Sequence, residues 1–171
     1  PQVQKLFDDG KIGKSEEQLM TGIISNSVQI VTHHSSHSES GKNIIILSAD
    51  SESSLISESA GAAFRSQNWN VFSIGDMSSS IDVLFDLELR KLLSKTWKSK
   101  EGVMIILVFS QTEEGLKFIS DSFYSVKEKS ENNLFIVLSG KTGKKVKIKG
   151  DLSSPKLEDI LQWSNTKYEN L

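Results

Sequence analysis

Four short apolar runs constrain this chain more than anything else in it: Asn43-Ile44-Ile45-Ile46-Leu47, Asn70-Val71-Phe72-Ser73-Ile74, Val103 through Phe109, and Asn133-Leu134-Phe135-Ile136-Val137-Leu138. They are continuous rather than alternating. A strand with one face in water alternates apolar and polar residues, whereas a strand covered on both faces does not, so these runs point to a parallel sheet between two layers of helices. The segments between them are roughly 20 to 30 residues long, too long for hairpins and suited to crossover helices.

The intervening segments carry helical spacing. Ser15-Glu16-Glu17-Gln18 has the form of a capping box ahead of Leu19, Met20, Ile23, Ile24, Val28 and Val31, which predicts a long leading helix ending before Gly41. Ser51 to Gln67 carries Leu55, Ile56, Ala60, Ala63 and Phe64, with small residues around Gly61 that allow close packing on a sheet. Ser80 to Lys100 is apolar on more than one side, from Ile81 to Trp97, which suits a central helix or an interface. Thr112 to Lys129 places Leu116, Ile119, Phe123 and Val126 in register, Val146-Lys147-Ile148 alternates as a short fifth strand, and Ser154-Pro155 reads as cap and first position of a last helix. The alternation predicts one α/β domain over residues 1–171: a three-layer, doubly wound, mostly parallel sheet of about five strands, Rossmann-like or flavodoxin-like.

Composition narrows the function classes. With 20 Lys and Arg against 22 Asp and Glu, and a net charge of −2, the chain is not an electrostatically driven nucleic-acid binder. The absence of cysteine removes disulfides, zinc knuckles and thiol chemistry, and fits a reducing compartment. No run approaches the roughly 18 apolar residues of a membrane helix, and no leader pattern opens the chain, so a soluble, cytoplasmic protein is expected. Because the sequence starts at Pro1, residues ahead of it are expected to have been removed or left out.

The 29 serines are the compositional outlier, and many fall where a site would be. In an open α/β sheet, ligands bind beyond the carboxyl ends of the strands. Those ends read Ser48-Ala49-Asp50-Ser51-Glu52-Ser53-Ser54, Gly75-Asp76-Met77-Ser78-Ser79-Ser80, Ser110-Gln111-Thr112-Glu113-Glu114 and Ser139-Gly140-Lys141-Thr142. Hydroxyls and helix-start amides hold phosphates and sugars, although serine before a helix is first of all a cap.

This order of elements and loops resembles the sugar isomerase (SIS) domain, a phosphosugar-binding module. Ser110 and Thr112 fall at two hydroxyl positions of that family's Ser-x-Ser-Gly-x-Thr loop, and Ser51, Ser53 and Ser54 lie near its first phosphosugar loop. The sequence departs from the family in placing Asp50, Glu52, Glu113 and Glu114 where a phosphate would sit. The resemblance implies a homodimer binding a small polar ligand such as a phosphosugar at Ser51, Ser53, Ser54, Ser110 and Thr112, in a regulatory or non-catalytic role, with the leading and Ile81 to Trp97 helices as interface. Two readings stand beside it: an aldose–ketose isomerase with Glu113 or Glu114 as base, and a protein-interaction module whose serines only cap helices.

His33, His34 and His37 form His-His-x-x-His, but with helix-end charge as the simpler explanation no metal site is expected. No Gly-x-Gly-x-x-Gly follows the first strand and Lys141-Thr142-Gly143-Lys144 is not a P-loop, so no cofactor is expected, with flavin in the first loop left open. The lysines at 141, 144, 145, 147 and 149 suit a charged edge strand.

Overall fold

A computed structural model describes residues 2–17, 19–21, 23–24, 41–77, 91, 93–97, 101–127, 133–140 and 148–171. Five strands, β1 (Lys42–Ser48), β2 (Asn70–Asp76), β3 (Val103–Ser110), β4 (Leu134–Gly140) and β5 (Leu152–Ser153), form one sheet in the order β2-β1-β3-β4-β5. Every pairing is parallel. Helices among the described residues include α1 (Gln2–Asp8), α2 (Ser54–Ser66, led by a 3-10 turn at Ser51–Ser53), α3 (Glu113–Lys127) and α4 (Leu157–Glu169). The expected doubly wound α/β fold is present, with the flavodoxin-like strand order.

The continuous apolar runs are explained by two separate cores. Ile44 and Ile46 of β1, with Val103, Ile105, Leu107 and Phe109 of β3, pack with Ala60, Phe64 and Ile160 on the face of α2 and α4. Ile45, Leu47, Met104, Ile106 and Val108 point the other way, toward Leu116, Ile119 and Phe123 of α3 and toward Leu93 and Trp97. All eight residues of β3 are buried, as befits the middle strand. Each such aliphatic side chain contributes about 1.5–3 kcal/mol by leaving water. β2 lies at the sheet margin and is only partly covered.

Several local expectations are corrected. The helical residues after α1 begin at 14, one residue before the expected cap: Gly13 N donates to Glu16 Oε2 at 2.8 Å, so the glutamate caps and Ser15 lies inside the helix. Leu19, Met20 and Ile23 of this stretch are exposed; its continuation to Ser40 lies outside the described residues. The last helix starts at Leu157, not at Pro155. Ser154 Oγ accepts from Lys156 N and donates to Asp159, forming a turn ahead of the helix.

The fifth strand is Leu152–Ser153. Val146 and Lys147 of the expected strand lie outside the described residues, while Ile148 is irregular and packs on the core. The short β5 leaves part of the β4 margin uncovered, and Asp151 substitutes for a strand there. Its amide donates to Ile136 O and its carboxylate accepts from Ile136 N, both at 2.8 Å, while Lys127 Nζ holds that carboxylate at 2.5 and 2.6 Å. Most of the Ile81 to Trp97 helix is likewise outside the described residues; Leu93 and Trp97 are buried in the chain's own core.

Two features position the carboxyl edge. β1 has β2 on one side and β3 on the other, so chain growth reverses between β1 and β3 and the loops leaving them part to leave a crevice. On the β2 side the register slips between Ile46 and Leu47, so that Leu47 faces Gly75. Gly75, at φ +86°, supplies the left-handed residue of this bulge, and Met77 N then reaches Ser48 O at 2.9 Å.

Candidate functional site

At the switch point the loops after β1 and β3 are tied together by one carboxylate. Asp50 Oδ2 accepts from Ser110 Oγ and from Gln111 N, each at 2.7 Å, across the crevice. Its Oδ1 accepts from Ser53 N at 2.9 Å, which caps the 3-10 turn leading into α2. The backbone supports the same join, since Ala49 N donates to Phe109 O at 2.8 Å.

The β3 loop is ordered by its own hydroxyls. Ser110 Oγ also accepts from Thr112 N at 3.1 Å and lies 3.2 Å from Thr112 Oγ1, which accepts from Gly115 N at 3.2 Å. Ser110 is buried while Thr112 is exposed, so the chain of hydroxyls runs from the sheet to the surface. Gly115 fits under this turn because it has no side chain: a Cβ there would stand 2.8 Å from Ser110 Oγ, 3.0 Å from Thr112 Oγ1 and 3.1 Å from Ala49 Cβ.

Burial pushes the Asp50 carboxyl upward, but hydrogen bonding from Ser110, the nearby Ser53 hydroxyl and the amides of Gln111 and Ser53 outweighs it, and the group stays below its ordinary value. Asp50 is therefore a carboxylate at neutral pH. Ser53 Oγ adds to that field yet lies outside hydrogen-bonding geometry. It is wholly buried and has no hydrogen-bond partner.

No family model matches the chain. No curated protein matches it either. Among solved structures it is similar to the Methanosarcina barkeri monomethylamine corrinoid protein, with a TM-score of 0.61, 13% identity, and coverage of 99% of this chain and 77% of that one. At that identity the likeness shows the fold alone.

These findings overturn the resemblance to SIS domains. The structural likeness is to a corrinoid protein, and no family model supports the sugar isomerase assignment. The site gives the physical reason: Ser110 Oγ, Gln111 N and Ser53 N, donors of the kind that receive a phosphate, are turned onto the chain's own Asp50. Hydroxyl positions were matched by sequence, but the acid beside them takes their hydrogen bonds.

Of the residues singled out by sequence, Ser53, Ser110 and Thr112 are brought together around Asp50. Ser51 is exposed at the start of the 3-10 turn, and its carbonyl accepts from Ser54 N, so these two serve the turn rather than the cluster. Glu113 and Glu114 occupy the first turn of α3, where acidic groups favour the positive helix end. Asp50 is the residue that sequence reasoning undervalued. The signal was the spacing Asp50-x-x-Ser53, an acid just past a strand and three residues before an exposed helix-start amide.

Proposed function

We propose that the chain is a binding domain for a small polar ligand taken up at the β1/β3 switch point, with no catalytic role for the site. The observation that carries this reading is the Asp50 carboxylate bridging both switch-point loops, beside a buried serine hydroxyl with no hydrogen-bond partner. A carboxylate offers about four acceptor positions, and three are filled here, so one remains for a ligand donor.

The charge of the rim selects the ligand class. Residues 49–53, 75–77 and 111–114 contain Asp50, Glu52, Asp76, Glu113 and Glu114 and no lysine or arginine. A dianionic phosphate is repelled there, whereas an unphosphorylated polyol or an amine donates hydrogen bonds to the acids. The rim thus favours such a ligand over the phosphosugar suggested by the sequence.

The structural neighbour's name raises a corrinoid as an alternative ligand. Imidazole is the nitrogen donor that a protein offers a transition metal. The described residues of the switch-point loops hold none, His33, His34 and His37 lie outside the described residues, and no described cluster of three or more His, Asp or Glu could hold a metal. The residues described do not fit the group, and no role is assigned to it.

A thermal-shift panel of sugars, polyols and amines with their phosphorylated counterparts tests the reading. Bound ligand stabilises the folded chain by mass action, by about 2.7 kcal/mol at a hundred times Kd, and so raises the unfolding midpoint. The expected result is a rise with an uncharged polyol or an amine that is lost in Ser110→Ala and Thr112→Ala. A rise confined to phosphorylated compounds, or none across the panel, overturns it.

A further inference from the structure

A row of lysines laid over aromatic rings marks the β4 margin. Lys149 Nζ stands 5.7 Å from the centre of the Tyr124 ring, and Lys127 Nζ 5.6 Å from the same ring. Lys127 is also 5.5 Å from the centre of Phe135, a ring it shares with Lys167 at 5.3 Å, and Lys167 lies 5.2 Å from the centre of Trp163. Because neighbouring ammonium groups share a ring, each ring limits how far apart two of them can stand. Tyr124 belongs to α3, Phe135 to β4 and Trp163 to α4, so the row crosses three elements.

The rings hold this row in place. Each is partly buried, Tyr124 on one core and Phe135 and Trp163 on the other, and Phe135 meets Trp163 edge to face at 5.6 Å. A lysine over such a ring keeps its ammonium in water yet is already ordered, so it loses little further freedom on binding. The backbone of Lys149 is fixed as well, since the buried Ser120 hydroxyl donates to its carbonyl.

Charge along the row is only partly answered. The Asp151 carboxylate pairs with the central Lys127, and Lys127 and Lys167 both sit in the last turn of a helix, where cations are favoured. Lys149 lies on no helix, and neither it nor Lys167 forms an ion pair among the described residues. An aromatic face attracts a cation without neutralising it. The two ends of the row therefore stay positive on either side of a neutral centre.

The surroundings choose the partner. Compact ligands take concave sites, whereas an open row across three elements suits an extended chain of charges. Strand addition is closed here: Asp151 N and Ser154 N already bond the carbonyls of Ile136 and Leu138 at 2.8 and 3.0 Å, and Asp151 also takes the Ile136 amide. Every ring packs on the core with a lysine over it, so a base stacks, or a lipid surface gains an aromatic anchor, only by displacing a lysine. Lysine is a point charge that receives single carboxylates. We infer that the β4 margin docks an extended acidic segment of a partner protein, with aspartates or glutamates spaced to meet Lys149 and Lys167 on either side of Asp151.

The test is fluorescence anisotropy of a labelled ten-residue oligoglutamate with the full chain at low salt, beside an oligothymidylate of equal charge and phosphatidylserine vesicles. Oligoglutamate is expected to bind saturably below about 1 mM and to be released as salt rises past about 0.1 M. Lys149→Gln and Lys167→Gln are each expected to weaken binding about two- to fivefold, as the loss of one exposed ion pair does, and together about tenfold. Lys156→Gln, which removes the same charge at the opposite end of α4, leaves binding unchanged. In nitrogen-15 spectra the Trp163 indole signal is expected to shift with saturation while that of the buried Trp97 stays in place. Absence of saturable binding, equal weakening by Lys156→Gln, indifference to the double variant, or tighter binding of the oligothymidylate or the vesicles overturns the proposal.

Discussion

Removing the Asp50 side chain tests how the switch point is built. Asp50→Ala loses the cap on Ser53 N, which contributes about 1 kcal/mol. It also loses two hydrogen bonds to a charged acceptor, from Ser110 Oγ and Gln111 N at 2.7 Å. Such bonds contribute about 1.5–3 kcal/mol each when buried. Asp50 is only half-buried and Gln111 is exposed, so water replaces part of what is lost and the low end, or less, applies. The sum is a loss of roughly 2–3 kcal/mol, or about 4–10 °C in midpoint for a domain of this size. Asp50→Asn keeps the shape but loses the charge, and is expected to fall about midway.

The pH dependence follows from the direction of the shift. The folded-state pKa is below the unfolded one, so the unfolded chain binds the extra proton between the two values and stability rises with pH there. The Asp50 contribution is whole above the unfolded value, about pH 4, and is lost as pH falls through the folded value. Urea denaturation of wild type and Asp50→Ala across this range measures both effects. A gap below about 0.5 kcal/mol at neutral pH, the scatter of ordinary surface substitutions, or a gap that widens as the solution is acidified, refutes the argument.

Three further substitutions probe the rest of the frame. Gly102→Ala introduces a Cβ at φ +70°, directly onto the Gly41 backbone, and is expected to cost at least about 3 kcal/mol or prevent folding, read by circular dichroism and denaturation. Gly115→Ala gains about 1 kcal/mol in helix propensity but drives a Cβ to 2.8 Å from Ser110 Oγ; a net loss on the order of 1 kcal/mol is expected from its melting curve. Asp151→Ala frees the Ile136 amide and unpairs Lys127, and is expected to cost about 2 kcal/mol and raise hydrogen exchange at Ile136 above that of β1 amides.

The sequence by itself determined the layers. Uninterrupted runs such as Ile44-Ile45-Ile46-Leu47 and Val103 to Phe109 suit only strands buried on both faces, and Leu116, Ile119 and Phe123 suit only a helix laid on such a sheet, because backbone periodicity decides which side chains share a face. The positions of the polar loops followed, since a strand that ends in the core must be succeeded by residues that cap the next helix. Local starts were less legible: Gly13 and Glu16 form the cap expected of Ser15, and Ser154 makes a turn before α4 rather than its cap. Several capping residues within three positions compete, and packing chooses among them.

Only the tertiary structure decided which loops meet. Strand order brings β1 beside β3, so residues 60 apart in sequence, Asp50 and Ser110, come within 2.7 Å, and a hydroxyl pattern that resembled a phosphate cradle is closed by the chain's own carboxylate. The same holds at the other end of the sheet, where Trp69 and Asn165, 96 residues apart, orient the amide of Gln67. Periodicity is a local property of the backbone and can be read along the chain. The direction in which a hydrogen bond points depends on what the fold places at its far end.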